Sequence, residues 1–278
     1  MKNSDNAVVA HYEDGALLAR IMAGIKAAGI DPNELQAEHL APVEEFHIGG
    51  RKATEYLVSK MNLQAFSHVL DVGCGIGGAA RYLATQDRTR VTGIDLTPEY
   101  ITVAKALTTQ LGLHEMIDFE IGSALAMPFD NAYFDAGISM HVAMNIPDRA
   151  SLYAEIARVI KPGGVFGLYD VMKKNGDELT YPMPWAETAE TSHLATAEAT
   201  FDLLNDSGFT VFEVDDRTEF AIEFFRKSLA AQAKGPGPLG IHLLMGDTAR
   251  EKFQNLLTNI QSGRIVPTQM IAKRNGQR

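Results

Sequence analysis

The residues best equipped for chemistry begin with a glycine-rich run, Asp71-Val72-Gly73-Cys74-Gly75-Ile76-Gly77-Gly78. Gly73, Gly75 and Gly78 fit the spacing G-x-G-x-x-G. There the missing side chains permit a tight turn, close approach of the backbone to a ligand, and packing of the helix that follows. That spacing alone is weakly specific, and two acids sharpen it. Asp71 precedes the first glycine by two positions, and Asp95 ends the next apolar run, where a carboxylate can accept hydrogen bonds from both hydroxyls of a ribose. A nucleoside cofactor is therefore the expected ligand. Asp71 anchors the loop through backbone N–H groups on the plainer reading, which is still a role in the cofactor site.

His141 follows the fourth predicted strand at its carboxyl end, where open parallel sheets bind ligands. An imidazole suits proton removal near neutral pH, so His141 is the candidate general base. The alternative is a histidine that only hydrogen-bonds substrate or backbone. A long segment from Asp170 to about Leu194 carries Trp185, the only tryptophan. Its ring could face a quaternary ammonium group, or simply pin the loop as an apolar anchor. No metal is expected, because the eight histidines are scattered and the single cysteine lies inside the glycine run.

These groups need elements to hold them. Leu17, Leu18, Ile21, Met22 and Ile25 form a stripe at helical spacing that predicts a helix over 13–29. Asp31-Pro32-Asn33-Glu34 reads as a capping box opening a second helix, with Asp31 as N-cap, and a third helix is expected over 50–62. From residue 68 the pattern changes to short apolar runs, 68–72, 90–94, 117–121, 134–139 and 164–169, alternating with helical stretches near 77–85, 98–111 and 149–160. Thr97 and Pro98 open the second of these helices. Such alternation means a parallel sheet covered by helices on both faces. A strand over 209–214 is followed by helices around 217–233 and 247–261, split by Gly235-Pro236-Gly237-Pro238-Leu239-Gly240. The last strand is expected over 265–272, with Pro267 at its start or at a bulge. The apolar late helices could roof a pocket or form a dimer face.

Taken in order, Asp71-x-Gly73-x-Gly75-x-Gly77, Asp95, Gly122-Ser123-Ala124, the 129–135 stretch and Lys161-Pro162-Gly163-Gly164 resemble the motif series of class I S-adenosylmethionine-dependent methyltransferases. The likeness covers about residues 66–215. Together with Glu45-Phe46-His47-Ile48-Gly49-Gly50 upstream, it is nearest to the small-molecule group that includes sarcosine/dimethylglycine N-methyltransferases. The resemblance implies a Rossmann-like α/β fold: a seven-stranded, mostly parallel sheet in the order 3-2-1-4-5-7-6, strand seven antiparallel. It also implies an N-terminal helical cap over 1–65 and a cofactor-binding domain over 66–278, with a helical lid inserted at about 217–262. S-adenosylmethionine is then the cofactor. The backbone at Gly73, Gly75 and Gly77 would lie along its methionine part and ribose, Asp95 would hold the ribose hydroxyls, and Leu96 would flank adenine. Ser123 and Ala124 would meet the adenine edge; Ser123 stands where an aspartate is commoner, and the plainer reading has it closing its own turn. Met140 would face the sulfonium, and Tyr12 and His47 are expected to cover the site or contact substrate.

Composition limits the partners. The chain has 278 residues, 46% of them hydrophobic, and a formal net charge of −10, which disfavours nucleic acid and anionic membranes as partners. No run is long and apolar enough for a membrane span, and Cys74 alone allows no intrachain disulfide, so a cytoplasmic monomer or homodimer is expected. The expected activity is methylation of a small-molecule acceptor, first an amine or amino-acid nitrogen, then an oxygen or carbon of a small aromatic or quinol-like metabolite. An NAD-dependent oxidoreductase would share the glycine spacing and Asp95, but not Asp71, the Gly122-Ser123-Ala124 turn or the long helical prefix. A non-catalytic nucleoside-binding protein would share the cofactor motifs and leave the long loop without a purpose.

Overall fold

The computed structural model describes residues 15–86, 89–174, 176–232, 235 and 237–276. Tyr12 lies outside them. Among the described residues, seven strands form one sheet in the order β3-β2-β1-β4-β5-β7-β6. They are β1 (His68–Val72), β2 (Arg90–Asp95), β3 (Ile117–Ile121), β4 (Phe134–Met140), β5 (Ile160–Lys173), β6 (Phe209–Asp216) and β7 (Ile265–Arg274). The first five pair in parallel, and β7 runs antiparallel to both β5 and β6. This is the expected Rossmann-like sheet and the expected order.

The helices are α1 (Leu17–Ala27), α2 (Ala37–Glu44), α3 (Arg51–Met61), α4 (Gly78–Ala84), α5 (Pro98–Gln110), α6 (Arg149–Val159), α7 (Ala197–Asp206), α8 (Thr218–Gln232), α9 (His242–Met245) and α10 (Ala249–Gln261). Alternate strand residues feed opposite sides of the sheet, as the two-residue repeat requires. Val69 belongs to the core that includes residues of α3, α4, α8 and α10, whereas Leu70 belongs to the one that includes residues of α6. A smaller core joins α1 and α2 to the outer side of α5 through Ile21, Leu40, Val43 and Leu107.

Two expectations about local structure are corrected. Asp31 does cap a turn, its side chain accepting from the Asn33 N–H, but that turn is a short 3-10 segment over Pro32–Glu34. The second helix starts later, at Ala37, where the His39 ring accepts from the Gln36 N–H. The fifth strand is also longer than the apolar run, since the backbone of Lys161-Pro162-Gly163-Gly164 stays in the strand with a register shift opposite β4. Pro267 sits near the start of β7 as expected, its carbonyl accepting from the Arg217 N–H.

Candidate active site

The carboxyl ends of β1, β2 and β4 open onto a narrow slot. At the β1 end, the loop after Val72 turns sharply enough that Gly75 has φ +53° and no atom within 4 Å of where a side chain would start, so its backbone faces open space. Gly78 serves packing instead, because a side chain there would strike the Glu44 carbonyl at 2.7 Å. The slot is lined by Asp71, Gly73, Gly75, Asp95 and Leu96 on one side and by Ser123, Ala124 and Met140 on the other. Gly77 does not border it; a side chain at Gly77 would meet Phe119 and Arg81, so this glycine lets α4 pack.

The two acids are held differently. Asp95 accepts from the Gly75 N–H at 2.9 Å and from the Thr97 N–H at 2.8 Å, which fixes both oxygens at the strand end. Burial raises its pKa against the pull of those N–H groups. Asp71 is 3% exposed and one of its oxygens has no partner. Burial, reinforced by the charges of Glu45 and Asp95, pushes its pKa up to about 7. Ser123 accepts from the Leu125 N–H at 3.3 Å, closing its own turn while still bordering the slot.

Beside the slot lies a wider cavity of about 870 Å³. Glu45, Phe46, His47 and His141 border both spaces and so form the wall between them. Trp185 borders the wide cavity at 4% exposure and donates from Nε1 to Ser192 at 3.0 Å, so it is a loop anchor and a cavity wall at once. Its loop is tied to α10 by Asn259, which donates to and accepts from the Thr180 backbone, and by the ion pair Lys252–Glu187 at 2.5 Å. The late helices supply Phe224, Phe225, Phe253 and Leu256 to the same cavity.

His141 has φ +59°, a conformation rarely adopted outside glycine and held here by its surroundings. Its backbone N–H donates to the Tyr169 carbonyl at 2.7 Å, Nδ1 lies 3.1 Å from the same oxygen, and Nε2 accepts from the Ile48 N–H at 3.3 Å. Burial and the nearby His47 lower its pKa to about 3, so it is neutral at physiological pH. The turn that presents it is braced by Asp170, fully buried on β5, whose carboxylate accepts from the Val142 N–H at 3.0 Å.

His47 is held through Nε2, which lies 3.2 Å from the Gly50 carbonyl, 3.1 Å from the Thr54 hydroxyl and 3.4 Å from the Glu45 carboxylate. Those acceptors assign the hydrogen to Nε2 and leave Nδ1 with the lone pair. Burial lowers the pKa of His47 as well, with Glu45 opposing. Glu45 itself accepts from Thr54 at 2.7 Å and pairs with Arg51. Arg51 also reaches Glu44 at 2.8 Å, and Glu44 binds the fully buried Arg81 at 2.6 Å. This chain of ion pairs locks the segment after α2 onto α4 and the glycine loop.

Sequence reasoning found Asp71, Asp95 and the glycine loop because their spacing is local. It missed Glu45, Arg51 and Asp170, whose roles depend on partners that only the folded chain brings near. Two acids side by side ahead of an arginine, Glu44-Glu45 before Arg51, were the available signal. Among the described residues no group of histidine, cysteine or acid side chains could hold a metal ion. No described helix is long and apolar enough to cross a membrane.

Comparison with known proteins agrees with this geometry. Residues 70–168 match a family described as a methyltransferase domain. An O-methyltransferase of Pyrenophora dematioidea is 28% identical over 207 residues, covering 72% of this chain and 73% of that protein. A sterol 24-C-methyltransferase of Eremothecium gossypii is 35% identical over 49% of this chain and 36% of its own. Phosphoethanolamine N-methyltransferase 1 of Zea mays is 31% identical over 65% of this chain and 36% of its own. This chain therefore spans only about a third of the last two. In structure, a putative sarcosine dimethylglycine methyltransferase from Galdieria sulphuraria superposes with a TM-score of 0.69 at 20% identity, covering 82% of this chain and 86% of that one. The [4+2]-cyclase SpnF does so with a TM-score of 0.71 at 20% identity, covering 99% of this chain and 97% of that one.

Proposed function

We propose that this chain, which belongs to the class I S-adenosylmethionine-dependent methyltransferases, passes a methyl group from that cofactor to a small-molecule acceptor seated in the wide cavity. The observation that carries this reading is the shared wall. Glu45, Phe46, His47 and His141 border the slot and the cavity together, so a donor in the one and a nucleophile in the other would lie against the same four side chains. When bound, S-adenosylmethionine supplies an electrophilic methyl group on a positively charged sulfur. Orienting the nucleophile against it can lower the barrier by roughly 7–11 kcal/mol, and taking up the acceptor's proton adds to that.

The residues of the slot fit this cofactor. Asp95, with its oxygens fixed at the strand end, holds the ribose hydroxyls; Leu96 flanks adenine, and Ser123 and Ala124 meet its edge. The backbone of Gly73 and Gly75 runs along the methionine part, near the unpartnered oxygen of Asp71, and Met140 lies toward the sulfur. Gly77 contributes by packing α4.

An acceptor that carries a proton gives it to His47. Its neutral ring is oriented by Glu45 and the Gly50 carbonyl and keeps a lone pair on Nδ1. The cofactor, when bound, would supply the methyl group and keep the carbon–sulfur bonding pair on its sulfur, and His47 Nδ1 would take the proton that the acceptor gives up. His141, with both ring nitrogens engaged by backbone groups, positions the segment that carries His47. Of the acceptors expected from the resemblance, the cavity supports an oxygen or carbon nucleophile better than an amine. An amine arrives as an ammonium ion and must shed water, while Glu45 already spends its charge on Arg51 and Thr54.

Turnover of His47→Gln tests this assignment. It should fall about 100-fold or more, with adenosylhomocysteine affinity within twofold of wild type. Wild-type turnover should stay level from about pH 6.5 to 9, because the lowered pKa keeps His47 neutral throughout that range. Wild-type turnover by His47→Gln, or a wild-type profile that climbs across that range, would remove His47 as proton acceptor.

A further inference from the structure

The wide cavity carries more information than its position. Its volume is about 870 Å³, near the upper end of the roughly 300–1,000 Å³ found for small-molecule pockets. In the same measure one water needs only about 10–15 Å³, so a small amino acid or amine of half a dozen non-hydrogen atoms fills a minor part of this space. It would leave most of the cavity to water. That water would stand against Trp185, Phe224, Phe225, Phe253 and Leu256, where it finds few hydrogen-bond partners, and it would reach the wall where the methyl group must pass in its absence.

The charges of the cavity point the same way. Among the described residues that border it, Glu45 is the only carboxylate, and it is committed to Arg51 and Thr54. The remaining charged groups are the arginines Arg20 and Arg250, which repel an ammonium. The two histidines at the inner wall are neutral and can hydrogen-bond an uncharged group.

We propose that the acceptor is a bulky, largely apolar molecule without a positive charge, a fused-ring or long branched hydrocarbon skeleton bearing its nucleophilic oxygen or carbon at the end that meets His47. This rests on the reading of the wide cavity as the acceptor site. The late helices α8 and α10 and the 181–187 stretch of the loop after β5 are then the specificity elements, since they supply the apolar walls. The cofactor slot has no part in that choice.

Trp185 makes the inference measurable without turnover, because it is the only tryptophan in the chain and it borders the cavity. The full chain is saturated with adenosylhomocysteine and its tryptophan emission is titrated with testosterone, a neutral four-ring probe, or with N,N-dimethylglycine. Testosterone should change the emission saturably, whereas dimethylglycine should leave it unchanged. Two cavity-filling variants, Ser228→Phe on α8 and Ala249→Leu on α10, should each weaken testosterone binding about tenfold or more. Adenosylhomocysteine affinity, measured by calorimetry on the same samples, should stay within twofold and so reports that each variant is folded. A saturable response to dimethylglycine, no response to testosterone, or testosterone binding indifferent to both variants would overturn the proposal. Adenosylhomocysteine binding retained alongside any of those results leaves the cofactor reading standing, and its loss from the wild-type chain would bring down that reading instead.

Discussion

At the scale of single residues, the site depends on how buried acids are held. Asp95 has both oxygens fixed by backbone N–H groups of Gly75 and Thr97, so the carboxylate is in place before any ligand arrives. Hydrogen bonds to a charged group contribute about 1.5–3 kcal/mol each, so losing the contacts to two ribose hydroxyls should weaken binding about 100-fold or more. The prediction is that Asp95→Ala raises the calorimetric Kd for adenosylhomocysteine by at least that factor while the far-ultraviolet circular dichroism is unchanged. Equal affinity would contradict the ribose assignment. Asp95 was legible in the sequence because its position follows from the end of an apolar run. The roles of His47 and His141 were not, because two histidines 94 positions apart in the chain at most look alike as imidazoles until their partners are known. In the fold their rings are 6.0 Å apart, and the backbone engages both nitrogens of His141 but holds His47 through Nε2 alone.

At the scale of elements, the ion-pair chain from Arg81 through Glu44 and Arg51 to Glu45 ties α2, α3 and α4 to the cofactor loop. Arg81 and the Glu44 side chain are fully buried, and Arg81 further donates to the Ile76 carbonyl at 2.6 Å and to Thr108 at 3.0 Å. Losing Arg81 leaves Glu44 with Arg51 as its cationic partner, and breaking a buried pair typically costs about 3–5 kcal/mol. Arg81→Leu should therefore lower the unfolding free energy by about that amount in urea denaturation. A loss under about 1 kcal/mol would show that the network is not what holds the helical cap to the sheet. The sequence made α1, α3 and the sheet helices plain through periodicity, whereas α2 was placed too early. Asp31-Pro32-Asn33-Glu34 carries a cap signature but closes only a 3-10 turn, and the side chain that marks the real start, His39 folding back to Gln36, has no common motif. The fifth strand was read short because Pro162 and the two glycines after it look like turn residues, yet they extend along β4 through a register shift.

At the scale of the whole molecule, the alternation of apolar runs and helices made a parallel sheet covered on both faces readable, while the order 3-2-1-4-5-7-6 and the antiparallel seventh strand came from the resemblance of the motif series and agree with the fold. The sheet then fixes where the slot opens, at the carboxyl ends of β1, β2 and β4. What could not be read was the second cavity. Its walls come from Arg20, the 41–50 segment, His141, Pro184 and Trp185, α8, the 235–246 stretch and α10, which are far apart in sequence and share no spacing rule. The late apolar helices were compatible with either a roof or a dimer face, and in the fold Phe225 and Phe253 pack edge to face at 5.4 Å on the cavity side.

The most direct test of a cofactor slot facing an apolar acceptor cavity is transfer of labelled methyl from S-adenosylmethionine by the full chain across acceptors graded by size and charge. The account predicts label on bulky, uncharged hydroxyl-bearing or electron-rich carbon acceptors, with one adenosylhomocysteine formed per methyl transferred. Label appearing instead on small amines such as sarcosine would contradict it.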